Sequence, residues 1–549
     1  PTNRGGVYSG DGGETLLIGD LTPGPLGQDN SGFPALSTGD GVDCPTVAIT
    51  DLVPDADSFA LVQADANCFN FQEMITGGFT PNFGGEVTDN AVLVGLRGEL
   101  ESGMFWSVSL YKGNNKADFF INKTVNASLG PLTPRNFDPG YYEQDDLSIN
   151  ADFSMTLSDD VNLAFGAEYR TEEFSIGAGQ QESFIDGGLG TQGFSTSTNG
   201  FPGFSTAIAG SWERKNYAVY GDLEWTPSSD LLVAVAIRFE DFDDFGTTTN
   251  FRLGANYSIN DDFGLRATVS SGFKAPTPGQ SNASNISTQI VGGVLTNQGV
   301  IPSTSPAAIL QGGDELDAEE STNFTIGLYG SAGPFDFTID YFDIDVDDRL
   351  SLSSDYELTP ADLVTLQGQG IDASDISQFR FFTNQFDTST SGVDIVISAE
   401  SEWLGGMTNW SLAYNNTSTD VTARNPALLG DSRVRLIEDG VPDTRFNLAA
   451  NHSMGDFRIL ARLSSYGEYY DNEAGGVFDN SVLFDLEGGY DINEQFSGTV
   501  GIRNVGDEQG CSTSDCGSLP PQILGLPYSQ FTPFGFNGRF FYGRLTYNF

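Results

Sequence analysis

The chain has 549 residues and a formal charge of −51, from 24 Lys and Arg against 75 Asp and Glu. A surface of that sign repels phosphate backbones, so no nucleic-acid partner is expected. With 42 Phe, 19 Tyr and 5 Trp, the chain is also too aromatic for a disordered acidic polymer. The single histidine, His452, rules out Ser-His-Asp, Cys-His and multi-His zinc chemistry within the chain. It sits in "NLAANHSMGD", where a strand meets a turn, and reads as an interface residue.

Residues 1–88 form a long Gly-rich segment that carries Cys44 and Cys68. A second local pair, Cys511 and Cys516, lies near the other end. An even count in Gly/Ser/Asp-rich loops predicts two loop-clipping disulfides, formed in an oxidising compartment. A metal reading is weaker, because no histidine stands near either pair; no metal and no cofactor are expected. No stretch reaches the roughly 18 apolar residues of a membrane helix. That leaves open a membrane protein that crosses with short alternating strands.

From about Asn90 the repeating unit is a strand, a tight polar turn, a second strand and a long loop. In "LSINADFSMTL", Leu147, Ile149, Ala151, Phe153, Met155 and Leu157 point one way and the polar residues between them the other. After the turn "SDD", Val161, Leu163, Phe165, Ala167 and Tyr169 continue the apolar face. Later hairpins turn at "TPSSD", "NDD", "SAGP", "LGGMTN", "SMGD" and "DINEQ". The long connections run over 119–142, 176–213, 274–319, 347–388, 420–443 and 506–533. In one of them, "LTPADLVTLQGQG" predicts a short helix with Thr359 as N-cap and Pro360 at its first position.

A soluble sandwich also alternates. Against it stand aromatics gathered near strand ends (Trp225, Tyr257, Phe263, Phe335, Tyr490) and the asymmetry between short turns and long loops. Both are marks of an outer-membrane barrel. The expected fold is therefore all-β: a transmembrane antiparallel barrel over 89–549, with long extracellular loops, short periplasmic turns and 1–88 as an extracellular loop segment. Seventeen strands are counted, the last being the terminal "GRFFYGRLTYNF". Single-chain bacterial barrels have even numbers and open edges are untenable in lipid, so the terminal strand is expected to close against a strand outside this sequence. Phe549, Tyr547, Leu545 and Phe541 are expected to face lipid, with Thr546 and Arg544 facing the lumen.

Several stretches resemble TonB-dependent outer-membrane receptors. They are "LRATVSSGFKAPTPGQ" (265–280), "GGDELDAEESTNFTIGL" (312–328), "FDFTIDYFDIDVDDRL" (335–350), "FFTNQFDTSTSGVDIVIS" (381–398), "VGIRNVGDE" (500–508) and the terminal "YGRLTYNF". Gly506 departs from the family's usual aromatic. The resemblance implies a 22-stranded plugged barrel, of which five strands, the plug and its TonB box have no counterpart in the sequence. It implies active uptake of a scarce nutrient (siderophore, vitamin or oligosaccharide) with TonB and proton-gradient energy, and no enzymatic activity. The implied partners are TonB, outer-membrane lipid and lipopolysaccharide, a small-molecule or oligosaccharide ligand, and the barrel-insertion machinery, which reads the terminal aromatic. A passive porin or a surface-binding structural barrel is the alternative. Loop aromatics Trp212, Phe242, Phe245, Tyr466, Tyr469 and Tyr470 are the candidate ligand contacts, weighed against simple loop packing or a place in the girdle. The acidic runs "FEDFDDFG" and "DIDVDD" lack EF-hand spacing and read as solvated charge or divalent bridging to lipopolysaccharide.

Overall fold

A computed structural model describes residues 9–10, 15–21, 44–50, 53–75, 78–291, 294–368, 378–471, 476–509, 531–535 and 537–548. Cys511, Cys516 and Phe549 lie outside the described residues.

Seventeen long strands follow one another around a closed barrel in chain order. They are β1 Asn82–Glu99, β2 Phe105–Asn122, β3 Asn136–Ser158, β4 Val161–Ala178, β5 Gly210–Ser228, β6 Leu231–Phe242, β7 Gly246–Ser258 and β8 Phe263–Lys274. There follow β9 Glu319–Ala332, β10 Phe335–Asp347, β11 Phe386–Trp403, β12 Gly406–Arg424, β13 Thr444–Met454, β14 Phe457–Tyr466, β15 Ser481–Asp491, β16 Phe496–Arg503 and β17 Phe540–Tyr547. The sixteen successive pairs are antiparallel, and four of them shift register once, at Val161/Asn162, Trp225/Ser228, Asp387/Thr388 and Phe119/Ile121. An odd number of alternating strands leaves β1 and β17 running in the same direction. The terminal strand thus neighbours β1 of this chain, where the sequence reading had put a strand from outside it. Val92, Leu93 and Val94, on both faces of β1, are all exposed, so the seam covers little apolar surface.

Alternation sets the two faces of the wall. Tyr217, Val219, Ile237, Phe239, Phe251 and Leu253 are exposed on one side, as an outer face bathed in hydrocarbon requires. Between them Arg214, Asn216, Tyr220, Arg238 and Glu240 turn inward, and Arg214, Tyr220, Arg238 and Glu240 bond to one another or to neighbouring strands. In β17, Phe541, Leu545 and Tyr547, which share one parity, are exposed, and so is Phe540 of the other parity.

The tight turns follow local chemistry. The Asn260 side chain accepts from the backbone N–H of Asp262 and Phe263, both at 2.9 Å, and Asn493 does the same for Gln495 and Phe496. Gly333, Gly405 and Gly455 hold positive φ at three further turns, where a side chain is strained. Aromatic pairs mark this end of the barrel: Phe457–Tyr490 at 4.6 Å and Phe496–Tyr547 at 4.8 Å.

The opposite end carries folded caps rather than loose loops. In the first, Phe69, Phe71, Ile75 and Phe79 of the N-terminal segment pack on Val125, Ala127, Leu189 and Phe194 from two barrel loops. The expected Cys44–Cys68 disulfide is present, with Cα atoms 5.6 Å apart. Helix α1 (Ala56–Ala64) starts at Asp55, whose carboxylate accepts from Ser58 N at 2.9 Å. In the second cap, Ile301, Ala308, Leu366, Phe379, Phe381 and Leu428 form one core drawn from three loops. The predicted helix is there as α2 (Pro360–Gly368), with Thr359 Oγ1 accepting from Asp362 N at 3.2 Å. Two expectations change. Strands β2 and β3 run on to Asn122 and from Asn136, so the loop expected over 119–142 shrinks to 123–135. The barrel also begins at Asn82, because Asn82–Asn122 and the pairs that follow continue the ladder beyond the membrane-spanning length.

Candidate functional site

Two inward-facing cavities lie towards the capped end. The first, about 450 Å³, is lined by Glu168, Arg170 and Glu172 of β4, Arg214 and Asn216 of β5, Arg238, Glu240 and Phe242 of β6, and Phe273 of β8. Its register explains the ladder. Arg170 stands opposite Asn216 and Glu172 opposite Arg214, so every second residue presents charge to the same side. Glu172 takes the forked Arg214 guanidinium, with Nε at 3.0 Å, and also meets Arg170. Arg238 bridges Glu168 at 2.9 Å and Glu240 at 2.6 Å. Arg214 also donates to the Pro276 carbonyl at 2.5 Å, which ties the loop after β8 to the wall. Positive and negative groups balance, so the ladder works chiefly as a rigid strut. One group is left over: the Asn216 amide nitrogen is buried without a hydrogen-bond partner.

Phe242, Phe245 and Phe273 cluster beside this cavity. Phe242 and Phe245 stack at 4.4 Å, Phe273 meets Phe242 edge-on at 5.7 Å, and the Arg214 guanidinium lies 5.3 Å from the Phe242 ring. Of the nearby acidic run, Asp243 accepts from Lys215 N at 2.9 Å and Asp244 lies 3.7 Å from Arg214. Burial raises the Asp244 carboxyl above its ordinary value, against the pull of Arg214.

The second cavity, about 480 Å³, lies along a different stretch of the wall, between β13 and β17. Arg445, Asn447, Arg462, Ser464, Tyr466, Leu483, Asp485, Arg503, Asn504, Phe534 and Phe540 are among its lining residues. Arg462 forks onto Asp485 at 3.0 and 2.5 Å. Tyr466 faces Phe534 at 5.8 Å and carries Arg445 over its ring at 5.1 Å.

The sequence candidates therefore divide. Phe242 lines the first cavity with Phe245 stacked on it, and Tyr466 lines the second. Trp212 instead stacks on Phe174 at 6.3 Å within a loop-end core. Tyr469 and Tyr470 are buried in a small hairpin, Tyr469 on Phe478 at 5.1 Å and Tyr470 beneath Arg435 at 4.1 Å. The arginines of both cavities were missed in the sequence. Their signal was charge at every second position, as in "EYRTEE" (168–173) and "IRFEDF" (237–242).

A closed antiparallel barrel with an apolar outer face, a charged lumen and caps at one end defines a membrane-spanning receptor barrel. The family described as "TonB dependent receptor-like, beta-barrel" matches residues 33–505, and the chain belongs to it. Among curated proteins it is similar to the ferric enterobactin receptor PirA of Pseudomonas aeruginosa, at 25% identity over 224 residues, covering 39% of this chain and 27% of that one. Among solved structures it resembles a variant of the ferric enterobactin receptor PfeA of Pseudomonas aeruginosa, with TM-score 0.56 and 15% identity over 87% of this chain and 63% of that one. The siderophore receptor PirA of Acinetobacter baumannii gives TM-score 0.54 and 15% identity over 93% and 69%. Those two likenesses show the fold alone. The chain spans about a quarter of the curated relative, at 27%, and 63% of the PfeA chain.

Proposed function

We propose that the protein is an outer-membrane receptor that captures a scarce nutrient at its capped, extracellular end and passes it inward with energy delivered through TonB. The substrate class is a siderophore, vitamin or oligosaccharide, and the barrel performs no bond chemistry. The observation that carries this reading is a family barrel whose inward face holds two ligand-sized, charged cavities beneath folded loop caps. Relatives named for ferric enterobactin make an iron chelate the first substrate to try. The caps, one of them built on Phe69, Phe71, Ile75 and Phe79 of the N-terminal segment, serve as the capture surface, and Phe242, Phe245 and Tyr466 are the loop-end aromatics that meet a ligand.

The test is growth and iron accumulation under iron limitation in cells with and without the gene, each supplied with one chelate at a time. Loss of use of one chelate on deletion, restored by the gene, supports the reading. Unchanged use of iron chelates, with impaired growth on an oligosaccharide, would move the substrate to glycans. Uptake that persists without TonB would turn the protein into a passive pore.

A further inference from the structure

We propose that three inward-facing tyrosines, Tyr220, Tyr329 and Tyr542, are register clamps, each seating a strand that arrives by a long loop onto a hairpin already set by its tight turn. The inference is independent of what the barrel carries. Tyr220 of β5 stands opposite Gly166 of β4, and its hydroxyl donates to Asp152 of β3 at 2.7 Å. Tyr329 of β9 stands opposite Gly264 of β8 and donates to the side-chain oxygen of Asn256 in β7 at 2.6 Å. Tyr542 of β17 stands opposite Gly501 of β16 and donates to Glu487 of β15. Each tyrosine thus crosses the near strand of a hairpin and ends on the far one.

The glycine is what lets the ring cross. A Cβ on Gly264 or Gly501 would collide with the tyrosine ring, whose atoms are its three nearest neighbours. On Gly166 it would meet the Tyr220 ring and the Ala151 carbonyl as well. Glycine inside a strand is otherwise unfavourable, since it costs backbone entropy and packs no side chain. Phe342 of β10 covers Gly392 of β11 in the same way, but has no hydroxyl to reach a third strand. Other cross-strand pairs, such as Phe120 over Gly84 and Trp106 over Gly98, lie on strands already joined by a tight turn.

The places of the clamps give their purpose. Hairpins β3–β4, β7–β8 and β15–β16 turn within 159–160, 259–262 and 492–495, and a tight turn fixes its own register. The clamped strands arrive instead over 179–209, 275–318 and 504–539, where no tight turn sets the pairing. Alternation does not set it either, because a slip of two residues keeps every side chain on its own face. Such a slip of β5 on β4 would put Asn216 or Trp212 opposite Glu172 in place of Arg214 and take the buried ladder apart. It would also carry the Tyr220 ring off Gly166 and onto Glu168 or Ala164. The native register is the one at which ring, glycine and acceptor coincide.

The test takes the full chain through urea and back into lipid vesicles, with β9 as the strand followed. While Tyr329 is present, Gly264→Ala should lower the folding equilibrium constant about tenfold, because the ring must leave its seat and its hydrogen bond. In a Tyr329→Ala background the same change should raise it about two- to fivefold, the ordinary relief of a strand glycine. Tyr329→Phe keeps the ring and loses only the third-strand bond, so it should cost about threefold. Register is read by disulfide trapping: T268C/T325C face each other across β8 and β9 natively, and T268C/N323C do so after a two-residue slip. Y329A should raise trapping of the slipped pair several-fold over the wild-type and Y329F backgrounds. An unfavourable G264A in both backgrounds, or no rise in slipped trapping with Y329A, would overturn the proposal. Should Y329A fail to refold, Y542A with G501A runs the same cycle on β17 and is judged by the same signs.

Discussion

Replacing Arg214 by Met removes one member of the most buried ion pair in the described barrel wall. The Arg214 side chain is 5% exposed and that of Glu172 11%, and the two are joined by a fork whose other arm holds the Pro276 carbonyl. Once Arg214 is gone, Glu172 keeps only Arg170, whose side chain is 43% exposed and whose charge is shared with Asp146. An orphaned buried carboxylate costs about 3–5 kcal/mol, whereas replacing both partners by apolar residues is close to neutral. The expected result is thus a large loss for R214M and a much smaller one for E172M/R214M, a strongly non-additive double-mutant cycle. Reversible urea unfolding of the barrel in lipid vesicles measures it. R214M within about 0.5 kcal/mol of wild type, or a double variant equal to the sum of the singles, would refute the strut.

The Cys44–Cys68 disulfide closes a loop with a sequence separation of 24. Its removal in C44S/C68S should loosen that cap by about 3 kcal/mol, read as faster proteolysis within 44–79 while the barrel spectrum is unchanged; equal protection would argue against a clipped cap. The Asp348 carboxyl, in the loop after β10, is raised above its ordinary value by burial and then by Asp387, Asp317, Asp347 and Glu320. A raised folded value means that the charged form strains the loop at neutral pH and that protonation relieves it as pH falls towards the ordinary carboxylate range. Wild type should therefore gain on D348N in reverse: D348N is the more stable at pH 7 and the difference shrinks in mild acid, by hydrogen exchange of residues 348–353. A gap that widens on acidification would contradict it. Deleting Phe549 is expected to lower surface levels of the barrel more than ligand affinity per molecule; normal surface levels would count against an assembly role for the terminal aromatic.

The wall was legible because strand alternation is local: Leu147 to Leu157 and Phe251 to Ile259 declare their faces within a dozen residues. The tight turns were legible for the same reason, in Asn260 and Asn493. The caps were not, since their cores join residues far apart in sequence, such as Phe71 with Phe194 and Ile301 with Leu428. Their short apolar runs carry no periodicity of their own. At the candidate site, an aromatic in a loop says nothing of whether it faces a cavity, as Tyr466 does, or fills a hairpin, as Tyr469 does. Charge at alternate positions was visible, but pairing decides its meaning. Arg214 is neutralised by Glu172 while Arg445 is not, and only the register across strands tells them apart.

The proposed energy-coupled uptake through this barrel is tested most directly by accumulation of radiolabelled iron, supplied as ferric enterobactin, in cells whose only receptor for it is this protein. Accumulation that stops at surface-bound levels when TonB is deleted or the proton gradient is collapsed is the predicted result. Accumulation that continues at the same rate under both treatments would contradict the account.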